Sequence, residues 1–141
     1  AATCCIMNCA WQRAYTPIMW QLPMLDGRYN RVGDIWSGLF IKKTLDEIGQ
    51  VMVINGRAQV LHERASNPYK SLVAEAPSVW LNDNLWDNLH TVVMDENPSM
   101  IDAYEAYTNQ AIKFFEKHDK EYAAHFKKAR DEWVSVWRNR W

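Results

Sequence analysis

GDIWSGLFIKKTLDEIGQVMVINGRAQVLH, residues 33–62, carries two periodicities in succession, and their order decides the expected fold. In its first half Ile35, Leu39, Ile41, Leu45 and Ile48 can line one buried stripe of a helix. Asp34 is placed to cap that helix and Gly49 to end it. In its second half Val51 to Ile54 and Ala58 to Leu61 flank Asn55-Gly56, a dipeptide that readily adopts the positive φ of a two-residue hairpin turn. A helix feeding a hairpin predicts an α/β fold.

Outward from this stretch the texture changes. Upstream, Thr3 to Trp11 is apolar and reads as a buried strand running into a loop around Pro17 and Pro23. Downstream, from residue 79, the period turns helical, first around Trp80 to Val93. Asn97-Pro98 then reads as a cap followed by proline at the first helical position, with Ile101, Tyr104, Thr108, Ala111 and Phe115 on one face. After a break near His118-Asp119 the spacing resumes at Tyr122, Phe126, Ala129, Trp133 and Trp137. The expectation is one domain over residues 1–141, with few strands and a helix in 1–78 and a helical tail in 79–141. No linker, repeat or low-complexity tract divides it.

The bulk properties narrow the function. Sixteen basic against seventeen acidic residues leave a formal charge of −1, so no global field gathers nucleic acid or an anionic membrane. No run of about 18 apolar residues and no basic-then-apolar leader occur, which predicts a soluble, cytoplasmic chain without a transmembrane segment. Cys4, Cys5 and Cys9 lie too close together to close a long loop by a disulfide. A structural zinc site needs a second pair of ligands that these cysteines lack, so buried thiols are expected. The eight tryptophans supply large apolar area, either for an aromatic core or for a surface covered by a partner.

Two polar residues stand where side chains commonly reach a site: Asp34, where a loop enters a helix, and His62, where a strand ends. Spacing alone gives them no chemistry.

Four blocks supply a resemblance. Gly33-Asp34-Ile35-Trp36-Ser37-Gly38 and its following helix are similar to the acidic-Asp-Met-Trp-Ala-Gly block of the reversibly glycosylated polypeptide (UDP-arabinopyranose mutase) family. His62-Glu63-Arg64-Ala65-Ser66-Asn67-Pro68 resembles the family's His-Ser-Lys-Ala-Ser-Asn-Pro. Cys5-Ile6-Met7-Asn8-Cys9-Ala10-Trp11-Gln12-Arg13 resembles Cys-Gly-Met-Asn-Leu-Ala-Phe-Asp-Arg, and the aromatic helices ending near Trp133 and Trp137 resemble the family's tail. Gly33 stands where the family has a second acidic residue, and Leu61 where it has a tryptophan.

The resemblance implies the C-terminal half of a GT-A-type nucleotide-sugar fold. It places the uracil pocket and the Asp-rich metal loop in an N-terminal half outside this sequence, and Asn82-Asp83-Asn84 does not replace that loop. By the same resemblance His62 would ligate a divalent cation, manganese or magnesium, held jointly with that half. Asp34 would face the sugar as the catalytic carboxylate, and Trp36 and Arg13 would bind substrate, although Trp36 also reads as a core residue. The implied partners are a UDP-sugar and the N-terminal half or another chain, with an oligomer as a further possibility. Two functions follow: the acceptor-side half of a nucleotide-sugar mutase or glycosyltransferase, inactive in isolation, or a non-catalytic protein-interaction module using its aromatic surface.

Overall fold

The computed structural model describes residues 9–25, 29, 32–53 and 67–139. A 3-10 helix, Arg13–Ile18, precedes four α-helices: α1 (Gly33–Glu47), α2 (Pro68–Leu89), α3 (Met100–His118) and α4 (Lys120–Arg138). No strand runs among the described residues, so the expected α/β, GT-A-type architecture is corrected to an all-helical one. The physical reason shows at Val51 and Val53, each 81 % exposed. A β-rich run becomes a strand only against a face that buries it, and a lone hairpin is marginal in water. The rest of the expected hairpin, residues 54–61, and residues 3–8 of the expected first strand lie outside the described residues.

Helix boundaries follow local chemistry. α1 starts one residue ahead of Asp34, with Val32 at its cap and no side-chain capping bond. It ends in a Schellman motif: Gly49 takes φ 69°, Gln50 N–H donates to the Leu45 carbonyl at 2.7 Å, and Gly49 N–H donates to that of Asp46 at 3.2 Å. α2 starts about ten residues earlier than the periodicity suggests, because the Asn67 side chain accepts from the N–H groups of Tyr69 and Lys70 and Pro68 occupies the first turn. It then runs through Pro77, a residue that ordinarily argues against a helix interior. Ser99, two residues past Asn97, caps α3, and Asp119 caps α4.

α3 is the hub, packing against α1, α2 and α4. Tyr104, Thr108, Ala111 and Phe115 form its fully buried stripe, and Tyr122 and Phe126 answer from α4. α1 is buried more widely than a single stripe, since Trp36, Phe40 and Thr44 are covered as well as Leu39, Ile41 and Leu45. Rings meet where α1, α3 and α4 converge: Trp36 lies 5.0 Å from Phe115, and Phe115 lies 5.1 Å from Tyr122 in an edge-on pair. Such pairs add about 0.5–1.5 kcal/mol beyond their buried area.

At the far end, Arg138 on α4 donates to Asp102 at 2.7 Å and to Glu105, tying the end of α4 to the start of α3. Hydrogen bonds from Ser99 and then Arg138 hold the Asp102 carboxyl below its ordinary range. A carboxylate lowered in this way stabilises the fold above its unfolded pKa, and that contribution is lost as pH falls through the folded value. Asp102 is largely solvent-exposed, so Asp102→Asn is expected to cost only about 0.5 kcal/mol at pH 7. In urea titrations the difference from wild type should start to shrink as pH falls below the usual carboxylate range and go on shrinking through the lowered folded value; a difference that stays constant down through that range would exclude this ion pair as its source.

Candidate functional site

Asp34 sits in the first turn of α1, half-buried, with Oδ1 accepting from the Ile35 N–H at 2.9 Å. A helix start favours a carboxylate there, because its unsatisfied N–H groups carry partial positive charge. The turn beneath it is fixed from several directions. Ser37 Oγ donates to the Gly33 carbonyl at 2.6 Å and accepts from Leu22 N–H at 2.9 Å, stitching the segment before α1 onto that helix. A Cβ on Gly33 would meet the Leu22 carbonyl oxygen at 3.6 Å, an ordinary contact, so this position has room for a side chain.

Trp36 lies in the core at 1 % exposure. Its ring is 5.3 Å from Tyr29 as well as 5.0 Å from Phe115, and its Nε1–H donates to Asn82 Oδ1 on α2. Tyr29, at φ 59°, places a bulky residue in backbone space that such residues rarely occupy. Its hydroxyl donates to Asp119 Oδ2 at 3.0 Å, while Asp119 Oδ1 caps α4. The approach to Asp34 is thereby fastened to the α3–α4 junction.

Arg13 is exposed at the start of the 3-10 helix, which packs on α1 and α3. Two bonds anchor that segment: Trp133 Nε1–H to the Pro17 carbonyl at 2.7 Å and Tyr15 hydroxyl to Gln50 Oε1 at 2.9 Å. Asp34 and Trp36 thus share the first turn of α1, whereas Tyr15, two residues after Arg13, is anchored to Gln50 past the other end of that helix. His62 lies outside the described residues, as do Cys4 and Cys5. Among the described residues no three His, Cys, Asp or Glu side chains gather as a metal-binding group, so these residues do not by themselves fit a divalent-cation site.

Sequence reading missed Asn82 and a second bridge between α1 and α2. Lys43 Nζ lies 4.8 Å from the Trp86 ring centroid and 3.1 Å from His90 Nδ1. Burial lowers the Lys43 pKa, opposed by Asp46. Asn82 follows Leu81 on the buried stripe of α2, formed with Ser78, Leu85 and Leu89, and this placement is the one signal that pointed inward.

A family model described as reversibly glycosylated polypeptide matches residues 1–140, nearly the whole chain and all four blocks that carry the resemblance. The chain belongs to the reversibly glycosylated polypeptide family. Comparison with curated proteins and with solved structures gives no match. In this family member no helix of the described residues is long and apolar enough to cross a membrane.

Proposed function

We propose that this member of the reversibly glycosylated polypeptide family is the acceptor-side half of a nucleotide-sugar mutase or glycosyltransferase. It works on a UDP-sugar together with a nucleotide-binding half outside these residues. The observation that carries the reading is the family match over residues 1–140, together with a half-buried Asp34 on a turn whose Trp36 and Ser37 are buried. Breaking an anomeric bond places positive charge on the sugar. A held carboxylate can orient hydroxyls, accept a proton or offset that charge. Asp34 is assigned this role, with the exposed Arg13 available to an anionic part of the substrate. Manganese or magnesium would be held by His62 with carboxylates of the other half.

The experiment compares the isolated chain with the same chain assembled with a nucleotide-binding half. The isolated chain is expected to give no measurable turnover of UDP-sugars. In the assembly Asp34→Asn should lower turnover about a hundredfold, within the range of acid–base contributions. Its stability should fall by no more than about 1 kcal/mol, because asparagine keeps the oxygen that accepts from Ile35 and loses only the carboxylate's attraction to the helix start. Turnover by the isolated chain, or an Asp34→Asn assembly as fast as wild type, would refute the assignment.

One observation favours the second reading, a protein-interaction module. Tyr69, Leu72, Val73 and Trp80 are exposed on the first half of α2. An apolar patch of this kind marks a contact surface more often than a soluble face. An assembly that forms tightly yet leaves UDP-sugars untouched would select this reading.

A further inference from the structure

We infer that Asn82 is a positioning residue for Asp34, acting through Trp36; the inference rests on the proposed role of Asp34. A buried indole N–H needs an acceptor, and the Trp36 acceptor comes from another helix, 46 positions along the chain. Without Asn82 the Trp36 N–H would lose that partner inside the core, a strong incentive for the ring to turn toward another.

The consequence reaches Asp34 through helix geometry. Residues two apart lie about 200° apart around an α-helix, so the turn that drives Trp36 inward carries Asp34 to the other side of α1. Fixing the Trp36 ring therefore fixes the direction of the carboxylate. α1 already packs on α3, and α2 adds two side-chain links to it. Trp36 meets Asn82, and Lys43 meets Trp86 and His90 further along both helices in the same order. Trp36 and Lys43 are about 10 Å apart along α1, and Asn82 and His90 about 12 Å apart along α2, so the spacings match. Two matched points add to the packing of α1 on α3 in resisting a roll of α1. Loss of the one nearer Asp34 permits the larger displacement: a roll of roughly 20° moves a carboxylate ~6 Å from the axis by about 2 Å. Misplacement by about 1 Å can cost a hundredfold in rate.

Asn82 does not touch substrate in this account, so its test needs a readout that lost stability does not move. The variants are Asn82→Leu, which keeps volume and removes the acceptor, and Asn82→Asp, which keeps an acceptor oxygen. Both are measured in the assembly with a nucleotide-binding half, as kcat and KM for a UDP-sugar on protein verified as folded by circular dichroism. Asn82→Leu should lower kcat at least tenfold with KM within about twofold, and Asn82→Asp should retain at least a third of wild-type kcat. Asn82→Ser, whose short hydroxyl withdraws the acceptor, is the milder substitute should the leucine variant not fold, and it carries the same expectation. Unchanged kcat in the acceptor-less variant, or equal loss in the leucine and aspartate variants, overturns the inference. Asp34→Asn in the same assay separates the two ideas. If it leaves turnover intact, the role of Asp34 fails; if it abolishes turnover while Asn82→Leu does not slow it, only the positioning role fails.

Discussion

Phe115→Ala is expected to remove about 4 kcal/mol of stability, in the upper range for truncating a buried aromatic residue. Phe115 is fully buried on the hub helix, and five rings surround it: Trp36 at 5.0 Å, Tyr122 at 5.1 Å, Phe114 at 5.5 Å, Phe126 at 6.2 Å and Tyr29 at 6.4 Å. These neighbours come from α1, α3, α4 and the residue ahead of α1, so no single element can move in to fill the space. A cavity that cannot collapse lies at the costly end of the truncation range. Against a total of about 5–15 kcal/mol for an ordinary domain, the loss is a large fraction of the whole. Urea denaturation of Phe115→Ala beside Val93→Ala, at a position 92 % exposed, provides the measurement. The exposed variant should lie within about 0.5 kcal/mol of wild type. A loss below about 1.5 kcal/mol for Phe115→Ala would mean that the ring cluster does not organise this core.

The same ring explains which parts of the fold were legible in the sequence. Tyr104, Thr108, Ala111 and Phe115 repeat at helical spacing over several turns, and they are fully buried. Tyr122 and Phe126 do so on α4. Gly49 was readable because positive φ at a helix end is a local demand that glycine meets. The expected sheet failed where local signals depend on distant ones. Asn55-Gly56 encodes a turn but not the face that strands must bury, and Val51 and Val53 stand in solvent. The start of α2 was hidden differently: Asn67-Pro68 carries a cap signal, yet Pro77 argues against the helix that follows. Around Asp34 the sequence identified the residue through resemblance but not what holds it. Its supports come from Leu22, from Tyr29 with Asp119, and from Asn82, and no periodicity connects these positions.

Arg130 supplies the other large effect, because two replacements that remove the same charge should differ by about 2 kcal/mol or more. Its side chain is 3 % exposed. Its donors reach Thr108 Oγ1 at 2.7 Å, Asn109 Oδ1 at 2.8 Å and the Glu105 carbonyl at 3.5 Å, clasping α4 to α3, and Asp131 Oδ1 at 2.7 Å on its own helix. Arg130→Ala should cost about 3 kcal/mol, since it opens a cavity between the two helices and removes all of these bonds. Arg130→Met keeps most of the volume. Its stranded acceptors are cheap: Thr108 Oγ1 still donates to the Tyr104 carbonyl at 2.8 Å, and Asn109 is exposed to water. Replacing a whole buried ion pair by apolar side chains is often neutral or stabilising. The partner that Arg130→Met leaves behind, Asp131, is open to solvent and keeps Lys127, so no buried charge is stranded. Methionine is therefore expected within about 1 kcal/mol of wild type in urea titrations at pH 7. Arg130→Lys should fall between the two, since an ammonium cannot reproduce the planar fork that spans these acceptors. If methionine proves as damaging as alanine, the hydrogen bonds and not the packing hold α3 to α4. If lysine matches wild type, the fork geometry is irrelevant and a point charge suffices.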